Sequence, residues 1–324
     1  MGSHAFQFAD ARDVRRASVT ARTSGAEQHA EAGPIGPIWT VVVNWRQADA
    51  TLACVASLDR AGVDSRTVVV VDNGSGDDVV DRMRATYPNA TVLAQTHNLG
   101  FARAVNIGAE YAMSRGAGAV FALNNDTEVA PGAVAKLAER LAASPRVGLV
   151  TAKVFLTDRP DHLWAVGGTF TGRRVVEMGA GERDVGAYDD AHIDFAYGCA
   201  LLIRAETFRE LRGFDERFFL YYEDIDLCLR AREAGWEVAI APAAHVLHEG
   251  SKSTENEPEA KVYHHARSRM LFFARHTRGA QRALFAITEI AFIAREVAGH
   301  VLGGRFANAK AYARGTLDAL RGAR

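Results

Sequence analysis

Residues 213–230 read Gly213-Phe-Asp-Glu-Arg-Phe-Phe-Leu-Tyr-Tyr-Glu-Asp-Ile-Asp-Leu-Cys-Leu-Arg230, with Glu223, Asp224 and Asp226 directly behind the apolar and aromatic block Phe218 to Tyr222. Ile225, Leu229, Ala231 and Ala234 predict a helix that starts here. Acids in a first turn meet unpaired backbone N–H groups and the positive end of the macrodipole, so they serve as caps. A carboxylate beside an aromatic wall is also where a general base is built. The residues alone admit both roles.

Other polar groups stand where chemistry is plausible. Asp72-Asn73-Gly74-Ser75-Gly76-Asp77 follows a run of valines. A short acid there can face a ligand hydroxyl or base, while the same residue types also make turns for local reasons. It is neither a dinucleotide fingerprint nor a P-loop, because the preceding apolar run ends in Asn44-Trp45-Arg46 without the required glycines. Leu123-Asn124-Asn125-Asp126-Thr127-Glu128 sets Asp126 just past an apolar run. One carboxylate gives a hard divalent cation part of its oxygen shell, with water and substrate phosphate supplying the rest. His248 adds a ligand if the fold brings it close, and an imidazole suits Mn²⁺ better than Ca²⁺. Otherwise it is an ordinary loop histidine.

The pattern around these groups is alternating. Apolar runs predict strands over 38–43, 67–71, 90–94, 119–123 and 147–153, with helices over 50–61, 78–87, 101–114 and 132–143. Strand–helix alternation implies a parallel sheet covered on both faces, with its ligand at the carboxyl ends of the strands. Those ends carry Asn44, Asp72-Asn73, Asn98 and Asn124-Asn125-Asp126. Glycines interrupt 155–193, which predicts loops and short antiparallel strands. A strand over 196–204, a helix over 206–211 and a strand over 237–240 follow. Residues 260–324 are helical in pattern and basic. Ile290, Ile293, Val297 and Val301 form an apolar stripe among Arg275, Arg278, Arg282, Arg295, Arg305, Lys310 and Arg314. This stripe packs on the catalytic domain or on a second subunit of a homo-oligomer, or it rests on an anionic membrane surface through 275–314.

A chain of 324 residues holds one large α/β domain or two smaller ones. A formal net charge of −1 argues against nucleic acid as a partner. Cys54, Cys199 and Cys228 are far apart in apolar segments, which reads as small core residues rather than disulfides or a zinc site. Residues 1–37 have no apolar signal region and are expected to form a flexible leader, and the cysteine pattern, with no disulfide framework, makes a reducing cytoplasm the expected setting.

Taken in order, Val-Val-Asp72-Asn-Gly-Ser, Asn98-Leu-Gly100-Phe-Ala-Arg-Ala-Val-Asn106, Leu-Asn124-Asn-Asp126-Thr, Gly198-Cys-Ala-Leu-Leu-Ile-Arg204 leading into 213–230, and Pro242-Ala-Ala-His-Val-Leu-His248 with Gly250 and Ser253 resemble family 2 glycosyltransferases of the GT-A fold. The resemblance is to the rhamnosyltransferase-like branch and runs from Ile38 to Arg275. It implies an α/β, Rossmann-like, mostly parallel sheet with helices on both faces. The catalytic domain would span 38–259, with a nucleotide-binding half over 38–153, an acceptor half over 154–259 and a helical extension over 260–324. It also implies an inverting transfer from a nucleotide-diphosphate sugar, dTDP-rhamnose first and UDP-sugars next, to a cell-surface glycan or lipid-linked acceptor at the inner face of a membrane. Asp224 would be the base. Asn44, Asp72, Asn73, Asn98, Gly100, Asn124 and Asn125 would line the donor pocket. Asp126 and His248 would hold Mg²⁺ or Mn²⁺, and Gly198, Glu223 and Asp226 would touch the acceptor or support the site. One departure stands out: Asn124 occupies the place of the first acid of the D-x-D metal motif, which lowers the charge available to a cation. That departure keeps open a catalytically silent nucleotide-sugar or glycan-binding protein of the same fold. A nucleotidyltransferase would lack its phosphate loop here and leave 213–230 unexplained.

Overall fold

The computed structural model describes residues 35–250 and 258–322. The expected leader therefore lies outside the described residues, apart from its end, where the Pro37 carbonyl accepts from the Gly118 amide. Ser253 also lies outside them.

The first half alternates as its pattern predicts: β1 (Ile38–Asn44), α1 (Ala48–Arg60), β2 (Val68–Asp72), α2 (Val79–Thr86), β3 (Thr91–Ala94), α3 (Phe101–Ser114) and β4 (Ala119–Asn124). These strands lie parallel in the order β3-β2-β1-β4. Period two decides which side chain faces which layer. Val41, Val69, Val71 and Val120 pack with α3 on one face, and Val42, Val68, Val70 and Phe121 pack with α1 and α2 on the other. Full burial of each is worth about 1.5–3 kcal/mol. Gly108 lets α3 lie close on the sheet, since a Cβ there would meet the Val41 side chain at 2.4 Å.

Beyond β4 the short β5 (Thr127–Val129) was not visible in the apolar pattern; α4 (Ala133–Ala142) and β6 (Val147–Leu156) follow. The glycine-rich stretch forms β7 (Arg159–Ala165), β8 (Gly167–Phe170) and β9 (Val175–Met178), with antiparallel pairings as expected. Next come β10 (Ala200–Arg204), α5 (Ala205–Leu211), α6 (Glu223–Glu233) and β11 (Glu237–His248). β10 enters antiparallel between β4 and β6 and is shorter than predicted. β11 is longer than predicted. Its register shifts between Ala241 and His245, and that irregularity accommodates Pro242. His248 therefore ends a strand, paired to Thr127 and Leu156, and is not a loop residue.

Three helices close the described chain: α7 (Pro258–His276), α8 (Gly279–Leu302) and α9 (Phe306–Gly322). Glu289 of α8, which interrupts an apolar run, is buried and paired with both ends of the Arg269 guanidinium at 2.8 and 2.9 Å. Ile293 and Val297 pack beside Val262, Ala266 and Tyr312, whereas Ile290 and Val301 are 72% and 40% exposed. The predicted stripe thus straddles the edge of the buried face. Among the described residues no helix is long and apolar enough to cross a membrane.

Candidate active site

The polar ends of β1, β2 and β4 lie side by side, because parallel strands in register finish together. Asn44 is fully buried at the end of β1. Its amide nitrogen donates to Ser75 Oγ at 2.8 Å and lies 3.3–3.4 Å from the Asp77 and Asp72 carboxylates. Its carbonyl accepts from Thr51 Oγ1 at 2.7 Å, and Thr51 in turn accepts from the Asn125 amide at 3.0 Å. Thr51, on α1, was missed by sequence reasoning, since a lone threonine in a helix gives no signal. Asn125 therefore turns toward α1. Asp72 also caps the following turn by accepting the Ser75 amide at 3.1 Å.

Asn73 and Asn98 act on the loop. Asn73 donates to Asn98 Oδ1 at 2.9 Å and accepts from the Leu99 amide at 2.9 Å, and Asn98 accepts from the Gly100 amide at 2.9 Å. Their side chains are occupied in shaping the 98–100 turn. Gly100 has φ +85°, and a Cβ would sit 2.5 Å from the Phe219 carbonyl. Only glycine lets this turn close against the loop that leads to Asp224.

On the other side of β4, Asp126 and His248 are buried together, with Oδ1 and Nε2 3.1 Å apart. The Asn124 amide is 3.5 Å from the same Nε2. Two donors bound at right angles to one cation at about 2.1 Å each would be about 3 Å apart, so this spacing fits a shared divalent ion. His248 Nδ1 is buried without a partner. Ligation through Nε2 would leave the proton on that unpartnered nitrogen, at about 1–3 kcal/mol. Among the described residues no group of three or more His, Cys, Asp or Glu is placed to hold a metal.

Asp224 is the second residue of α6. Its Oδ1 accepts the Ile225 amide and its Oδ2 the Gly198 amide, both at 2.8 Å. It is thus a first-turn acid that satisfies backbone N–H groups, and two of its roughly four lone-pair sites stay open. Burial raises its pKa, against the lowering effect of those two amides. Glu223 is pushed up further by burial and by the Asp224 charge, and its Oε2 is buried without a partner. Asp226 points elsewhere: it is fully buried, ion-paired to Arg230 at 2.7 Å and Arg275 at 3.3 Å, and hydrogen-bonded to His276 Nε2 at 2.8 Å. It ties α6 to α7 and supports the site without facing an acceptor.

Tyr221 and Tyr222, just before α6, both hold left-handed backbone, at φ +69° and +68°. Such strain costs about 1–3 kcal/mol per residue and persists only when neighbours over-determine it. Here the Phe101 amide grips the Phe219 carbonyl at 2.8 Å, and Ser268 of α7 donates to the Leu220 carbonyl at 2.8 Å. The strained loop delivers Asp224 toward β10. Cys199 lies between the two acidic centres, and the charges of Asp224 and Asp126 both add to the burial that raises its thiol. Burial pushes the Cys54 and Cys228 thiols up to about 12, so the cysteines are core residues, as their surroundings in sequence predict.

The sheet, with Asp72 ending β2, the Asp126–His248 pair past β4 and Asp224 held by the Gly198 amide before β10, has the GT-A fold. The model of the family "Glycosyltransferase like family 2" matches residues 36–271, and the chain belongs to that family. It is an enzyme of the inverting, hexosyl-transferring class. Over 257 residues it is 31% identical to N-acetylglucosaminyl-diphospho-decaprenol L-rhamnosyltransferase of Mycobacterium tuberculosis, covering 71% of this chain and 81% of the relative. A 61-residue segment, 19% of this chain and 23% of the relative, is 43% identical to rhamnosyltransferase WbbL of Escherichia coli. Among solved structures, mannosyltransferase PcManGT of Pyrobaculum calidifontis with GDP-Man and Mn²⁺ superposes with a TM-score of 0.53 at 17% identity, covering 87% of this chain and 80% of that one. GalNAc-T7 with UDP, GalNAc and Mn²⁺ superposes at 0.54 and 15% identity, covering 78% of this chain and 53% of that one. Both share the fold.

Proposed function

We propose that the chain transfers a sugar from a nucleotide-diphosphate donor, dTDP-rhamnose first and UDP-sugars next, to a hydroxyl of a lipid-linked or surface-glycan acceptor. The observation that carries this reading is that Asp224 and the Asp126–His248 pair flank the same short stretch, Gly198 and Cys199. Asn44, Asp72 and the 98–100 turn form the nucleotide wall. Asp126 and His248 would hold Mg²⁺ or Mn²⁺, which when bound neutralises charge on the leaving diphosphate. Asp224 accepts the proton of the attacking hydroxyl. Its two amide bonds fix the carboxylate in place, and burial makes it a stronger base than an exposed aspartate. One direct displacement inverts the anomeric centre.

The test is a turnover screen over nucleotide sugars with Mn²⁺, Mg²⁺ or chelator. Turnover of dTDP-rhamnose is expected, lost in chelator and lowered about a hundredfold by Asp126→Asn. Nucleotide-sugar binding without turnover of any donor, with acceptor present, would favour the silent binding protein.

We further propose that the extension rests on an anionic membrane surface. Residues 258–322 hold eleven Lys and Arg against four Asp and Glu, in a chain whose net charge is −1. α8 and the start of α9 expose Ile287 at 69%, Ile290 at 72%, Leu302 at 88% and Phe306 at 66%, beside Arg282, Arg295 and Arg305. An exposed apolar face rimmed by arginines suits the boundary between headgroups and acyl chains. The double variant Ile287→Glu, Ile290→Glu is expected to lower partition onto phosphatidylglycerol vesicles about tenfold or more in co-sedimentation. Unchanged partition, with a halved mass in solution, would assign the face to a second copy of the chain.

A further inference from the structure

Between His248 and Asp224 runs an aromatic wall that the donor chemistry leaves unused. Trp164 of β7 is half-buried, with its ring centroid 4.7 Å from His248 and 5.2 Å from Tyr197, both edge-on. Tyr197 directly precedes Gly198, whose amide holds Asp224, and Phe195 supports the Tyr197 ring from 5.6 Å. The Tyr197 hydroxyl donates to Glu177 Oε1, and no hydrogen bond among the described residues engages Glu177 Oε2. Glu177 comes from the β8–β9 hairpin, where it pairs with Gly168. A Cβ on Gly168 would lie 2.6 Å from the Phe195 ring, so the hairpin sits directly on the wall.

We infer that Trp164, Tyr197 and Glu177 form the subsite for a pyranose ring of the acceptor, an inference that rests on the glycosyl-transfer reading. A pyranose has apolar C–H faces and a rim of hydroxyls, so it suits an aromatic surface beside a fixed hydrogen-bond acceptor. Tyr197 fixes Glu177 and leaves one of its oxygens for a sugar hydroxyl. The wall ends at Asp224, where a neighbouring hydroxyl of the same ring would lose its proton. The Asp224 carboxylate at the end of the wall favours a neutral ring there over a diphosphate. The glycine-rich insertion thereby acquires a role, since it carries Glu177 to the acceptor.

The experiment uses the full chain, the donor turned over in the screen, and N-acetylglucosamine joined through diphosphate to a short prenyl chain, with the sugar-free prenyl diphosphate as control. Glu177→Gln and Tyr197→Phe are expected to raise the acceptor KM about tenfold or more while the donor KM holds. An unchanged acceptor KM, or a donor KM that moves in proportion, overturns the subsite. A second arm needs no turnover. The sugar-bearing probe is expected to shift the tryptophan fluorescence of wild type but not of Trp164→Phe, and the sugar-free probe to shift neither. A shift that persists in Trp164→Phe, or equal shifts from both probes, overturns the inference. A wild type that turns over no donor counts against the transferase reading instead, and the fluorescence arm still decides the subsite.

Discussion

An Asp224→Asn chain is expected to bind nucleotide as the wild type does and to lose a factor of about 10²–10⁴ in turnover. Asparagine has nearly the same shape and keeps one oxygen for the Gly198 or Ile225 amide, so the strained loop before α6 stays in place. What disappears is the proposed proton acceptor. Glu223 is not expected to take over, because burial disfavours its charged form and its Oε2 is buried without a partner. The pH dependence carries the same assignment. Only ionised Asp224 accepts a proton, and burial has raised its pKa, so wild-type turnover is expected to rise with pH through a limb above the ordinary aspartate range. The variant is expected to lack that limb. Stopped transfer assays from acidic to neutral pH check both outcomes, and near-wild-type turnover, or an acid limb that survives the substitution, would remove Asp224 from the reaction.

Asp224 was legible in sequence as a pair of alternatives, cap or base, and its geometry makes the two compatible. The carboxylate caps first-turn amides and still presents open lone pairs, so capping is a means by which a base could be aimed. The parallel half of the sheet was legible because buried strands of Val and Ile announce themselves. Sequence did not reveal partners that depend on a third element. Thr51 joins Asn44 to Asn125 only because α1 crosses behind both strands. His248 looked like a loop residue because Pro242 breaks the apolar run, yet the strand resumes after an irregularity and carries it into the sheet. Trp164, Tyr197 and Glu177 lie on β7, the segment before β10 and β9, and no local spacing reports that they meet. Asn73 and Asn98 show the reverse case, polar residues at strand ends whose side chains are consumed in holding the backbone.

Asp226→Ala is expected to destabilise the fold by about 3–5 kcal/mol, read as a lower denaturant midpoint at unchanged slope. Two residues from Asp224, this carboxylate has no exposed surface and meets Arg230, Arg275 and His276 at once. The penalty comes from what the substitution leaves behind. Arg230 also donates to the Leu211 and Gly213 carbonyls at 2.8 and 2.9 Å and cannot swing out to water without releasing the turn before 213–222. Arg275 keeps Asp215 at 2.7 Å, so its loss is smaller. Asp226→Asn retains hydrogen-bond acceptance without the charge and is expected to fall between the two. The same ion pairs join α6 to the end of α7, whose Ser268 holds the Leu220 carbonyl in the strained loop. Loosening at Asp226 should therefore reach Asp224 through backbone position: turnover per folded molecule falls less than in Asp224→Asn, and the acid limb of the pH profile stays where it was. A loss below about 1 kcal/mol would show that the buried cluster relaxes around the missing charge, and a turnover loss equal to that of Asp224→Asn would place Asp226 in the chemistry after all.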